Sequence, residues 1–198
     1  MEVYAKEIDG VWFGVVCEGE TILASNFGSY ADDILESFQR MFPSHVLLLA
    51  SEPTSFAQKA VSMIRDIYEG KSAGETVPLA LERFPSYTQR VLKAVSRIPI
   101  GYVASYGGVA NAVGGGARAV GNAMANNCFA PLVPCHRVVT SSLGLGGYDG
   151  GLKVKYEFLK REKRGFTEPK EISIESGVLR VFPVEFVLRK LEKTGQNY

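Results

Sequence analysis

Three runs at the start of the chain, EVYAKEI (2–8), VWFGVVC (11–17) and TILASNF (21–27), are rich in β-branched and aromatic residues and are separated only by DG and EGE turns. Connections that short join antiparallel neighbours, so the chain opens as a small antiparallel sheet on which the following segments must pack. YADDILESFQRM, with Ser29 as its N-cap, predicts a helix, and HVLLLA a short buried strand. PTSFAQKAVSMIRDIYEG places Phe56, Ala60, Met63, Ile64 and Ile67 on one helical face, with Pro53 near its start and Gly70 after its end. No catalytic cluster lies in this stretch. His45 reads as a surface or packed histidine, and Cys17, in a strand pattern, as a small core residue.

The polar segment EGKSAGETVPLALE then divides the chain, and the charge changes sign across it. Residues 1–85 carry 6 Lys+Arg against 13 Asp+Glu, a net −7; residues 86–165 carry 11 against 3, a net +8; residues 166–198 carry 5 against 5. Such asymmetry points either to a polyanionic partner or to two domains that attract each other. A hydrophobic content of 46% in 198 residues suffices for one domain or two small ones. No stretch approaches the ~20 apolar residues of a membrane span, and the opening MEVYAKEIDG has early acids and no apolar run. A cytoplasmic protein with no membrane partner is expected. The three cysteines, Cys17, Cys128 and Cys135, form no CxxC pair, which argues against a disulfide framework or a structural zinc set and for free thiols.

Beyond the divide, YTQRVLKAVSRI is an amphipathic helix closed by PIG, and YVAS is a short extended piece. YGGVANAV and ARAVGNAMANN flank a GGG turn, the pattern of a helix-turn-helix. Ala117, Gly121 and Ala125 recur every fourth residue, leaving one side of the second helix nearly bare. A bare face serves close helix packing, or entry into a minor groove only ~6 Å wide. Arg118, beside that face, is placed to contact a phosphate or to enter a base stack from which a nucleotide has been turned out.

PLVPCHRVVT (131–140) sets Cys135 directly beside His136, one of only two histidines. Pro131 and Pro134 stiffen the approach and HRVVT continues as a strand, so one reading is a buried cysteine at a strand start. The other is a nucleophile. A free thiol of pKa ~8.5 is only a few per cent thiolate at pH 7, and a neighbouring imidazole removes its proton or raises that fraction. The imidazole in turn needs a carboxylate on its other nitrogen. The basic segment offers Asp149, Glu157 and Glu162, and Glu162 lies on LKVKYEFLKRE, a helix able to fold back on the strand.

IPIGYVASYGGVANAVG, ARAVGNAMANN, PCHRVV and GLGGYDGGLKVKYEFLKRE, in that order and spacing, resemble the O6-alkylguanine-DNA alkyltransferase family over residues 84–164. The resemblance implies an α/β N-terminal domain with a small antiparallel sheet, ribonuclease H-like in the family (1–80). It also implies a mostly α domain with a helix-turn-helix (81–165), leaving 166–198 as a C-terminal extension. It implies a repair protein, expected to be a monomer, that binds double-stranded DNA containing O6-alkylguanine through the minor groove. The base is flipped and its alkyl group moved irreversibly to Cys135, with no metal and no cofactor.

Carried over by position, His136 is the base acting through a water, Glu162 orients His136, and Asn127 braces the active-site turn. Tyr106 hydrogen-bonds guanine, and Arg118 fills the vacated stack from the helix whose Ala117 and Gly121 face the groove. Val138 offers its carbonyl to the exocyclic amine, beside Tyr148 and Asp149 in the pocket. Two positions depart from the family: Cys128 stands where proline is usual, and Asp149 where serine is usual. Asp149 is expected to cap the following helix by accepting from the N–H of Gly151 or Leu152. A helix-turn-helix regulator explains the basic half but leaves Cys135, His136 and Glu162 without a role. A Cys-His-Glu hydrolase explains those three but not the bare helix or Arg118. The tail EISIESGVLRVFPVEFVLRKLEK reads as a strand-like piece and a short amphipathic helix, docked on the protein's own core or on a partner.

Overall fold

Asp9 and Gly10 both adopt positive φ, 53° and 79°, as a two-residue hairpin turn requires, and they fold β1 (Glu2–Ile8) back on β2 (Val11–Glu18). The computed structural model describes residues 1–195 and 198. β3 (Thr21–Gly28) pairs antiparallel with β2, and β4 (Leu48–Leu49) runs parallel to β1, giving the order β3-β2-β1-β4. Only two residues of HVLLLA form this last strand. α1 (Ala31–Met41) buries Ile34 and Phe38 against the sheet; a Cβ on Gly14 of β2 would stand 2.7 Å from Ile34, so glycine there permits the close approach. Its N-cap is Tyr30 rather than Ser29, with no side-chain capping bond. α2 (Ser55–Tyr68) buries Ala60, Met63, Ile64 and Ile67 as the periodicity requires, while Phe56 is only half-buried.

The chain divides into two compact units, one of Met1–Tyr68, Ser72–Ala80 and Cys128–Leu132, the other of Glu69–Lys71, Leu81–Asn127 and Val133–Tyr198. Cys128–Leu132 joins the first unit through β3: the Ser25 N–H donates to Cys128 O at 2.8 Å and the Ser25 hydroxyl to Ala130 O at 3.0 Å.

The second unit runs through α3 (Ser86–Ser96), β5 (Tyr102–Ser105), α4 (Tyr106–Val113), α5 (Ala117–Ala125), β6 (Val138–Val139) and α6 (Leu152–Arg161). It ends with β7 (Lys170–Ile174), β8 (Gly177–Pro183) and α7 (Val184–Lys193). Its helices are joined by a four-stranded sheet, β6-β5-β8-β7, which the expectation of a mostly α domain left out. The reason is non-local. β5 is only four residues long, but it has β6 on one edge and the tail strand β8 on the other, so a short strand gains two partners. The single strand-like piece expected in the tail is a hairpin, β7–β8. The tail docks on its own unit: Val184, Val187, Leu188 and Leu191 share a core with Val103, Val139, Leu145 and Leu159. Each such side chain contributes ~1.5–3 kcal/mol relative to exposure. Among the described residues no helix is long and apolar enough to cross a membrane.

Candidate active site

The Ser105 hydroxyl caps α4 by accepting from the Gly108 N–H at 2.9 Å, which makes Tyr106 the first residue of the helix at the end of β5. On the opposite side of β5's ladder, β6 follows one 3-10 turn made of Cys135, His136 and Arg137. The strand expected for HRVVT therefore begins only at Val138. The tight turn, rather than a strand, turns three consecutive side chains into the interior. Cys135 is 8% exposed, His136 0% and Arg137 8%.

Glu162, at the C-cap of α6 and fully buried, gathers the turn. Its Oε1 accepts from His136 Nε2 at 2.9 Å and from Arg137 Nη2 at 2.8 Å; its Oε2 accepts from Arg137 Nε at 3.0 Å and from the Gly101 N–H at 3.4 Å. The remaining guanidinium arm donates to Ile98 O at 2.7 Å. A buried carboxylate with four donors is compensated. Burial pushes its carboxyl up, but His136 and Arg137 outweigh it and hold the pKa at about 2. Burial also lowers the imidazole's pKa, with Glu162 pulling the other way, so His136 is neutral at pH 7. With the proton on Nε2 facing the carboxylate, Nδ1 is the acceptor, and it is buried without a hydrogen-bond partner among the described residues. The ring stacks on Phe158, 4.4 Å between centroids and 21° between planes, which fixes that orientation. A neutral, oriented imidazole with an unused basic nitrogen is equipped to take a proton.

Burial raises the Cys135 thiol's pKa, and four groups oppose it: a hydrogen bond from Asn127, the charge of Lys155, and the backbone N–H groups of Cys135 and His136. Asn127 also donates to Val133 O at 3.0 Å and so ties the turn together. The Tyr148 hydroxyl is hydrogen-bonded to the thiol, and burial and the sulfur push its pKa well up. Burial and the sulfur raise Tyr106 as well, and its hydroxyl donates to Gly147 O at 3.4 Å.

The sequence reading missed Lys155 and Arg137. Lys155 is 0% exposed, and burial pulls its pKa down to about 8, the sulfur opposing that fall. Its Nζ donates to Val138 O at 2.6 Å and Gly147 O at 3.2 Å, and lies 5.9 Å from the centroids of both Tyr106 and Tyr148. The signal was the spacing of α6: Lys155 is in register with Phe158, Leu159 and Glu162, on the face that turns inward.

Cys135, His136, Glu162, Asn127, Tyr106, Tyr148 and Val138 thus converge, whereas Arg118, Ala117 and Asp149 are exposed. A Cβ on Gly121 would meet nothing within 4 Å, and Ala125 is exposed, so the bare face of α5 opens outward instead of packing on another helix. Asp149 does not cap α6. The N-cap is Gly151, at φ 85° and without a side-chain bond, and its N–H is taken by Tyr148 O at 3.0 Å. The turn closes on the backbone and leaves the carboxylate in solvent. Cys128 belongs to the first unit, where its thiol donates to Leu23 O at 3.4 Å.

A family model described as 6-O-methylguanine DNA methyltransferase, DNA binding domain, matches residues 86–164. The chain is 42% identical over 150 residues to a methylated-DNA--protein-cysteine methyltransferase of Mycobacterium leprae, covering 73% of this chain and 87% of that one. In structure it is similar to the Mycobacterium tuberculosis OGT crystallised in complex with DNA, with TM-score 0.67, 31% identity, and 82% and 93% of the two chains covered. It is also similar to the O6-methylguanine-DNA methyltransferase of Pyrococcus kodakaraensis, with TM-score 0.63, 25% identity, and 81% and 98% covered.

Proposed function

Because the chain belongs to the O6-methylguanine-DNA methyltransferase family, we infer that it repairs DNA by moving an alkyl group from guanine O6 onto its own Cys135. The observation that carries this is a thiol, 8% exposed, ringed by Asn127, Lys155 and two backbone N–H groups, beside a neutral His136 held by Glu162 at 2.9 Å. His136 Nδ1 takes the thiol proton through a water. The thiolate attacks the alkyl carbon in line, an S–C bond forms as the C–O6 bond breaks, and the electron pair departs with guanine. The Lys155 ammonium and the Tyr106 and Tyr148 hydroxyls supply positive charge and donors where the anion passes from sulfur to base. The base then takes up one proton, balancing the one left on His136. A thioether is not readily reversed, so each molecule reacts once.

On the DNA side, α4 and α5 act as a helix-turn-helix monomer on duplex DNA. The open Ala117–Gly121–Ala125 face enters the minor groove, and Arg118 occupies the stack from which the lesion is turned out. Val138 O, already an acceptor for Lys155, has a second lone pair for the guanine amine. Residues 81–165 carry this chemistry and residues 1–80 form a ribonuclease H-like N-terminal domain. The test is incubation with free O6-benzylguanine followed by intact-mass measurement. One benzyl adduct per chain and one released guanine are expected. Release of guanine without an adduct indicates a hydrolase, and neither product indicates a regulator.

A further inference from the structure

The tail builds more than a support for the core. A cleft of about 420 Å³ lies between α3 and the β7–β8 turn, lined by Arg90, Lys93 and Arg97 on one side and by Ser173 to Ser176 on the other. Three cations face one acid there, Glu175, whose carboxylate pairs with Lys93 at 3.1 Å. All four charged side chains are exposed. Arg90, Lys93 and Arg97 follow each other at i, i+3 and i+7, a stripe along one helical face about 10 Å long at 1.5 Å per residue. Donors arranged in line suit a polyanion, not a single phosphate, which calls for convergent donors. At about 3.4 Å of axis per phosphate, the stripe runs past several consecutive phosphates of one strand.

Its position supports the same partner. Tyr87, one turn before Arg90, packs under the turn between α4 and α5: a Cβ on Gly115 would lie 2.8 Å from the Tyr87 ring. The Arg90 guanidinium sits 5.6 Å over that ring. The stripe therefore starts at the turn that launches α5 and Arg118, and runs away from it along α3. We propose that the cleft between α3 and the β7–β8 turn is a phosphodiester-binding groove, which grips one strand of the DNA outside the lesion site. The hairpin walls the groove, and Glu175 occupies Lys93 until a phosphate displaces it. This rests on the DNA-repair reading above, and adds a contact that the transfer chemistry does not use.

The test is duplex affinity across a salt series, for wild type, the triple variant Arg90→Ala/Lys93→Ala/Arg97→Ala, and Glu175→Gln, with transfer from free O6-benzylguanine measured alongside. Neutralising three phosphate contacts should lower the slope of log K against log salt by about 2 to 3 and weaken binding about tenfold or more at 0.1 M salt. Free-base transfer should be unchanged. Glu175→Gln frees Lys93 and removes the opposing charge, so it should bind severalfold tighter with a steeper slope, an outcome that damage to the fold does not produce. Unchanged slopes in both variants, with duplex binding intact, overturn the groove. If wild type binds no duplex yet still takes the benzyl group, the DNA reading fails and the transfer reading stands.

Discussion

Cys135 and Cys17 are both buried thiols, 8% and 2% exposed, and burial raises the pKa of each. Around Cys135 an amide, an ammonium and two backbone N–H groups all favour the thiolate. Around Cys17 none of the described residues does: burial and then the like charge of Glu2 push the thiol up to about 11. Burial alone makes a cysteine inert. Reactivity in the interior requires donors that replace the lost water without adding solvent of their own.

The largest test of that contrast is Cys135→Ser, which should yield no adduct by intact mass, because Cys135 is the thiol that Asn127, Lys155 and two backbone N–H groups support. Peptide mapping of the wild type should place the benzyl group on Cys135; finding it on Cys17 or Cys128 would break the comparison. Next is Glu162→Gln, which removes the anion that fixes His136 and pairs with Arg137. Single-turnover transfer should fall by roughly 10²-fold, the scale of a disabled general base. Unfolding should be easier by ~3–5 kcal/mol, as for a broken buried pair. Because folding depresses this carboxyl from 4.5 to about 2, its contribution is complete above pH 4.5 and is lost as pH falls towards 2. Wild type should show that acid limb in denaturant midpoints, and the variant a shallower one.

Lys155→Met sharpens the comparison from the electrostatic side. With the buried ammonium gone, transfer at pH 7 should slow about tenfold, one pKa unit's worth of thiolate support. Lys155 itself loses its proton near pH 8, so the wild-type advantage should shrink as pH rises past that value. A rate gap that is constant from pH 6 to 9.5 would assign Lys155 to holding Val138 O and Gly147 O rather than to charge.

What could be read from the sequence divides along the same line. Cys135 and His136 are adjacent, so their chemistry is local, and the hairpins of the first sheet are equally local, down to the positive φ of Asp9 and Gly10. Glu162 was placed through the spacing of a whole signature. Lys155 was hidden because a lysine in LKVKYEFLKRE reads as a solvated charge until helical phase is followed around to the buried face. Arg137 was hidden because PCHRVV reads as a strand, in which alternate side chains point outward, whereas a 3-10 turn buries three in succession. The sheet of the second unit was hidden because β5 takes β8 from nearly eighty residues away. Asp149 misled because an acid before a helix reads as a cap, but glycine at positive φ closes this turn without a side chain.

The smallest expected effect on transfer is that of Cys17→Ala, and here the contrast shows itself in stability instead. Cys17 lies on β2 with its thiol in the core, so losing the sulfur should leave Cys135 chemistry untouched: the same adduct and the same single-turnover rate. Folding raises this thiol from 9.0 to about 11, so the folded protein favours its protonated form. Below pH 9 both states are protonated and the shift has no effect. Between pH 9 and 11 the unfolded chain gives up its proton while the folded chain keeps it, so stability falls across that window. Cys17→Ala lacks the group and should lack that part of the fall: denaturant midpoints of wild type and variant should approach each other from pH 8.5 to 10.5. If the offset between them stays constant, the Cys17 thiolate is tolerated in the fold. Burial would then not be enough to silence a thiol, and the distinction from Cys135 would rest on the donors around that sulfur and on His136.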